Sequence, residues 1–254
     1  DTILSVAEKD GDPVDVSEMR IREAVGYIRG PKGTEVRLTV QKPDGRKQII
    51  PITRDVVQIE ETYVKGTVLR TENNQPVGYL RIPSFYRDFA AQADGEEPRN
   101  VTDDTIRELA RLKKQRIRGL ILDLRNNPGG VVQASVEVSD HFLKKGLIVY
   151  TKGRVPNSEM RFSADPADAS EGVPLVILIN GGSASASEIV AGALQDHKRG
   201  IVMGTESFGK GSVQTILPLN NNTAIKLTTA RYYTPSGRSI QAKGIEPDIV
   251  VEES

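Results

Sequence analysis

The chain has 254 residues, 34 basic and 34 acidic side chains and 37% hydrophobic content, enough for one large domain or one large and one small. Zero net charge removes the electrostatic case for nucleic acid or an anionic membrane, and the absence of cysteine excludes disulfides and thiolate metal sites while leaving the redox compartment open. No run of about 18 apolar residues and no signal peptide is present; Asp1 falls inside an expected strand, so the chain reads as a fragment.

Residues 1–55 read as a small module: strand TILSV, a helix with Ile21, Ala24, Val25 and Ile28 on one face, strand TEVRLTV, a Pro43-Asp44-Gly45 turn and strand KQIIPIT. Residues 56–76, with apolar positions Val57, Ile59, Val64 and Val68 and a closing ENNQP turn, predict a hairpin joining this module to a core at 77–254. The core opens with a strand over Val77–Ile82 and an aromatic segment, SFYRDF, then a surface loop over Ala90–Asn100. Thr102 is expected to cap a helix running to about Lys114 with a solvated charged face. Gly119–Leu124 reads as a buried strand ending in Arg125-Asn126-Asn127-Pro128-Gly129-Gly130. A double glycine that opens a helix at a strand's carboxyl end is where parallel α/β sheets place ligand sites, although a plain helix-opening turn reads the same way. A helix to about Leu143, a strand over Leu147–Tyr150 and a polar loop over 152–172 with Pro156 and Pro166 follow; that length suggests a flap.

The stretch Val173–Gln214 carries the chemistry. Leu175–Ile179 is a continuous apolar run typical of a strand covered on both faces. Gly181 and Gly182 end it, and Ala186, Ile189, Val190, Ala193 and Leu194 then recur at helical spacing. Ser185 and Glu188 form the S-x-x-E of a capping box. The same serine, exposed beside free N–H groups at a helix start, is also placed for nucleophilic attack, because amides and dipole stabilise an anion developing there.

A nucleophile needs a base, and the two histidines do not supply one. His197 lies twelve residues beyond Ser185 on the same helix, about three turns away, and His141 sits near the end of another helix, where a structural or solvent-facing role is the ordinary one. Lys210, between Gly209 and Gly211, remains, since glycines permit close backbone approach. Two other patterns overlap it. Gly204–Gly211 reads G-x-x-x-x-G-K-G, but Gly211 has no hydroxyl for Mg²⁺ and SVQTILPL does not continue as a helix, which argues against a nucleotide site. Ser207–Lys210 reads S-x-x-K without an accompanying K-T-G, and two glycines disfavour the helical turn that motif needs. Asn220-Asn221-Asn222 marks a hairpin between SVQTILPL and TAIKLTTARYY. In KGIEPDIVVE, Glu246 and Asp248 are separated by proline and have no partner histidine, so a metal role is not expected.

GGSASASEIVAGALQDH followed by GTESFGKGSVQ resembles the carboxyl-terminal processing peptidases, the tail-specific proteases above all. The resemblance runs from about Asp1 to Asp248 and implies a crotonase-like or Clp-peptidase-like α/β core with parallel βαβ units. It implies a Ser-Lys-Gln site of Ser185, Lys210 and Gln214, with a serine-to-lysine separation of 25 residues that matches the family. It also implies an oxyanion hole from the backbone N–H of Gly129 or Gly130 together with that of Ala186, and a supporting Asp196. By the same resemblance residues 1–55 are the C-terminal part of a PDZ domain. Its tail-pairing strand and carboxylate loop would precede Asp1, leaving only the groove's helix wall, about Ser17–Arg29. The implied activity is endoproteolysis of proteins with exposed C-terminal tails in a bacterial periplasm or cell envelope, with no metal, nucleotide or organic cofactor and with a homo-oligomer left open. A lysine base must be neutral, and burial is what would lower its pKa from about 10.4. A binding protein on the same fold, holding a tail or an apolar ligand without cleaving it, is the alternative.

Overall fold

The computed structural model describes residues 1–55, 62–87, 99–154, 159–165, 172–219 and 223–252. Val57, Ile59, Phe89, most of the Ala90–Asn100 loop, Pro156, Pro166 and the Asn220–Asn222 turn lie outside the described residues. The chain divides into two compact units, Asp1–Ile59 and Glu60–Ser254.

The first unit is a four-stranded antiparallel sheet of β1 (Thr2–Glu8), β2 (Val14–Asp15), β3 (Glu35–Gln41) and β4 (Lys47–Thr53), in the order β2-β1-β3-β4, with one helix, α1 (Ile21–Ile28). Alternation in β3 puts Val36, Leu38 and Val40 into a core with Val6 and Val16, against which Ala24 and Ile28 of α1 pack. Arg54 closes this unit: its buried guanidinium donates bidentately to Glu8, at 2.8 and 2.7 Å, and to the Ile28 carbonyl.

The second unit is built on a six-stranded sheet in the order β14-β11-β10-β7-β6-β5. These strands are β5 (Lys65–Arg70), β6 (Pro76–Arg81), β7 (Gly119–Asp123), β10 (Leu175–Ile179), β11 (Ile201–Gly204) and β14 (Ile249–Val250). All neighbours pair in parallel except β5, which closes one edge as a hairpin with β6. Of the hairpin expected over 56–76, the described part carries β5, which pairs with β6, the strand expected to open the core. β6, β7, β10 and β11 succeed one another across the sheet in chain order. Right-handed crossovers that all advance the same way place α2 (Val101–Lys114), α3 (Val132–Asp140) and α4 (Ala186–Asp196) on one face. That face is dry: Leu80, Leu120, Leu122, Ile177, Ile179 and Val202 are buried in one core with Leu112, Val138, Ile189 and Leu194. The opposite face, with Tyr79, Ile121, Leu178 and Met203, is only half-buried.

Local signals explain the element ends. The cap of α2 is Asn100 rather than Thr102: the Asn100 side chain accepts from the Asp103 N–H at 2.9 Å, while Thr102 lies one position inside and donates to Glu137 at 2.8 Å. Leu109 and Leu112 turn α2's other face to the core, so only part of it is solvated. The polar excursion after β8 (Gly146–Gly153) contains a strand, β9 (Arg161–Ala164), which pairs back onto β8. A second antiparallel sheet, β12-β13-β8-β9, adds the hairpin β12 (Ser212–Pro218) and β13 (Ala224–Tyr233).

Leu122 is fully buried in the middle of the parallel sheet. Leu122→Ala should lower the unfolding free energy by about 2–5 kcal/mol, whereas Ile21→Ala, at a side chain 83% exposed, should change it by less than about 0.5 kcal/mol. Urea unfolding followed by circular dichroism measures both.

Candidate active site

Two turns leave the carboxyl ends of neighbouring strands β7 and β10, and short polar side chains knit them together. Asn127, fully buried, donates from Nδ2 to the Ile82 carbonyl, and its own carbonyl accepts from Ala184 N–H and Ser187 Oγ. Asn180 Oδ1 accepts from the N–H groups of Asn126 and Gly182, and Asn180 Nδ2 donates to Asn126 Oδ1. Ser183 Oγ donates to the Leu124 carbonyl at 2.8 Å and accepts from Asn180 N–H at 3.0 Å. Ser183 and Ser187 are thus structural and fully buried. Of the three serines in the S-A-S-A-S stretch only Ser185 reaches the surface, half-buried.

Ser185 begins α4 and forms a capping box with Glu188, whose Oε2 accepts the Ser185 N–H at 2.7 Å. An ordinary N-cap residue has an extended backbone. Ser185 instead has φ 57° and ψ −110°, a region that costs a non-glycine residue about 1–3 kcal/mol and persists only where neighbours enforce it. Capping needs no such strain. The conformation sets the serine on a sharp strand-to-helix corner, the arrangement that presents a nucleophile.

Gly129 and Gly130 lie against this corner. A Cβ on Gly129 would stand 2.9 Å from Ser185 Cβ and 3.1 Å from Ala186 N, and one on Gly130 would stand 2.3 Å from the Phe85 carbonyl oxygen; φ is 100° and 144° at the two positions. Only glycine fits either place. Phe85 is core, and its backbone clamps the turn by donating to the Gly129 carbonyl and accepting from Val131 N–H. Of the two glycine amides named for an oxyanion hole, that of Gly129 is occupied by Asn127 Oδ1 at 2.9 Å. Among the described residues the N–H groups of Gly130 and of Ala186, at the first position of α4, have no hydrogen-bond partner, so these two are the candidates left for that role.

The Lys210 loop approaches from the other side. Phe208 N–H donates to the Ser183 carbonyl, Ser207 Oγ donates to Glu188 Oε1 and accepts from Ile245 N–H, and Gly211 N–H donates to Gln241 Oε1. The N–H groups of Gly209 and Lys210 both donate to Glu188, at 2.6 and 2.9 Å. The Lys210 backbone is therefore tied to the helix that carries Ser185. Its side chain is exposed rather than buried, as is Gln214 on β12 just past a bulge, and among the described residues no hydrogen bond joins Lys210 to Ser185 or Gln214.

The remaining residues fall elsewhere. Asp196 ends α4, about 16 Å from Ser185 at 1.5 Å per residue, and accepts from Ser236 N–H at 2.8 Å and from Arg238 at 2.5 Å. His197 Nε2 donates to the Leu147 carbonyl at 2.6 Å. Burial pushes the pKa of His141 down against the pull of Asp140, Glu137 and Asp103, and its Nε2 is enclosed without a partner among the described residues. Asp248 accepts from Val202 N–H and Gln195, tying β14 to β11. A cleft of about 710 Å³ at the sheet's carboxyl edge, lined by Tyr79, Arg81, Asp123, Arg125 and Asn126, does not include Ser185 or Lys210. There Asp123 receives Arg125 at 3.0 and 2.8 Å and Tyr79 Oη at 2.5 Å. The paired turns, with their strained serine, define the site better than this cleft, where Asp123 is already engaged by Arg125 and Tyr79.

The fold is that of the processing proteases: the solved photosystem II D1 C-terminal processing protease superposes with a TM-score of 0.65 at 30% identity, covering 98% of this chain and 62% of that one. A model of peptidase family S41 matches residues 76–251, and the chain belongs to that family. It is 47% identical over 247 residues to a carboxy-terminal-processing protease of Bartonella bacilliformis, covering 95% of this chain and 52% of the relative. A carboxyl-terminal-processing protease of Picosynechococcus is 36% identical over 254 residues, covering 100% of this chain and 56% of the relative. The chain spans about half the length of these curated relatives.

Burial pushes the pKa of Asp196 up, but hydrogen bonds from Thr234 and Ser236 and the charge of Arg238 outweigh it and hold the carboxyl below its ordinary value. Its contribution to stability is then present above about pH 3.9 and is lost as pH falls through the lower folded value. Asp196→Asn should cost about 1–3 kcal/mol at pH 7. Thermal melts of the two proteins should converge as the pH drops below about 4.

Proposed function

We propose that this chain is the catalytic part of a serine endopeptidase that cleaves proteins selected by their C-terminal tails. Ser185 Oγ attacks the scissile carbonyl. The neutral amine of Lys210 takes the hydroxyl proton and delivers it to the leaving amine, and water then hydrolyses the acyl-enzyme by the same route. Gln214 holds the lysine amine toward the serine, and the N–H groups of Gly130 and Ala186 receive the oxyanion. The observation that carries this reading is the strained backbone of Ser185, the surface-reaching serine of its stretch, beside two turns whose Gly130 and Ala186 N–H groups have no hydrogen-bond partner among the described residues. Lys210 is exposed, so an extended substrate lying across Ser185 also covers the lysine side chain and excludes water from the site.

The first unit fits the C-terminal part of a PDZ module. Its helix α1 contains no buried residue and leaves Ile21 83% and Tyr27 43% exposed, as a groove wall for an apolar tail would. A periplasmic or cell-envelope location and self-association belong to the same proposal and rest on the resemblance. A non-cleaving binding protein on this fold would have no use for strain at Ser185, which is why the catalytic reading is preferred.

Ser185→Ala and Lys210→Arg should each abolish cleavage of an unfolded protein with an apolar C-terminal tail, at unchanged fold by circular dichroism. Arginine keeps the charge but does not act as a base at usable pH, so retained turnover in Lys210→Arg would refute the general-base role. Gly129→Ala, which drives a methyl group into Ser185, should lose at least about 100-fold in kcat, as a displacement of about 1 Å at a reacting group does.

A further inference from the structure

Among the described residues, Glu188 is the one side chain hydrogen-bonded to both halves of the proposed dyad. It is fully buried on the first turn of α4, and its carboxylate accepts four hydrogen bonds among the described residues. Oε2 receives the N–H of Ser185 at 2.7 Å and that of Lys210 at 2.9 Å, while Oε1 receives Ser207 Oγ and the N–H of Gly209, both at 2.6 Å. A carboxylate removed from water is costly unless its oxygens are satisfied. Four donors and the positive end of α4 provide that here. A capping box requires one of those four bonds; the other three come from a loop 19 to 22 residues further along the chain.

We infer that Glu188 is a positioning residue: its Oε2 ties the backbone of the nucleophile to the backbone of the base while Oε1 holds the flanking loop, fixing the separation across which the proton is transferred. This rests on the Ser185–Lys210 reading above. Ser185 is held by its own N–H on the strained side of its φ range, and Lys210 is held by its N–H and that of the preceding glycine, so only the lysine side chain is left to move. Rotation of a single carboxylate would disturb both residues together. Glutamine at this position keeps the length but offers one acceptor oxygen to four donors, and its amide hydrogens would oppose two of them.

The test is Glu188→Gln in the whole chain, assayed for kcat and KM on an unfolded protein with an apolar C-terminal tail, beside Ser185→Ala and Lys210→Ala. Amide hydrogen exchange and thermal melting accompany the assay. A positioning role predicts a fall in kcat of about 100-fold with KM changed less than about threefold. It also predicts faster exchange at residues 207–211 while the amides of β10 remain protected, a pattern that a general loss of folding does not give. A kcat within about threefold of the parent, or a loss that tracks the unfolded fraction with exchange rising through β10 as well, would overturn the inference. Should the glutamine variant fail to fold, Ser207→Ala removes one of the four donors and leaves the carboxylate in place. It should lower kcat several-fold at constant KM, and an unchanged kcat would count against the role. Activity surviving in Ser185→Ala or Lys210→Ala would instead remove the dyad reading, whatever happens at Glu188, while the exchange pattern still reports on the clamp.

Discussion

Ser185 holds a backbone conformation that a residue with a side chain adopts only when its surroundings leave no alternative. The neighbouring structure can be understood as what enforces it. From one side, Asn127 and Asn180 bind the two turns so closely that position 129 has no space for a methyl group. From the other, Glu188 takes the Ser185 N–H, and from below, the dry core under Ala186, Ile189 and Val190 fixes where α4 starts. Each restraint is a hydrogen bond or a packing contact worth about 1 kcal/mol or more, so together they exceed the strain.

The sheet makes such a site available. Because β6, β7, β10 and β11 follow one another in one direction across the sheet, all three helices lie on the same side and all the strand-to-helix turns emerge along one edge. Adjacent parallel strands are about 4.8 Å apart, and this spacing brings the β7 turn within reach of the β10 turn with no more than asparagine and serine side chains to bridge them. Longer residues there would hold the turns apart. The shortness of the polar side chains in RNNPGG and NGGSASAS is thus a requirement of the sheet spacing as much as of chemistry.

Much of this was legible in the sequence, and the misses have physical causes. The apolar run of β10, the glycine turn and the α4 periodicity are local features, and local features place Ser185 at the helix start. In the second loop, Lys210 stands out locally through its flanking Gly209 and Gly211 and the lack of a histidine base, whereas Gln214 is implied by resemblance alone, because nothing within a few residues of it tells what it will face. Position 102 in place of 100 for the α2 cap is a choice between two good capping residues, which tertiary bonding to Glu137 decides. The strand β9 is four residues long and is defined by pairing with β8 rather than by its own pattern. Which glycine amide of the β7 turn is unpaired depends on Asn127 folding back onto Gly129, a bond between residues that the sequence shows as neighbours but not as partners. Glu188 read as a cap, and it is one; its three further donors are long-range and have no local signature.

The same distinction separates what is fixed in Lys210 from what is free. Its backbone is bracketed by bonds on both sides: Gly209 gives its N–H to Glu188 and accepts from Ala242, and Gly211 gives its N–H to Gln241 and accepts from Tyr232. A loop with two glycines would otherwise carry the largest conformational entropy in the region, and these bonds remove it. The side chain, by contrast, is exposed. Fixing the backbone while leaving the side chain open sets where the lysine starts from and leaves only its rotamers free, so the bonds from Glu188 and Gln241 decide the reach of its amine more than any contact the amine itself makes.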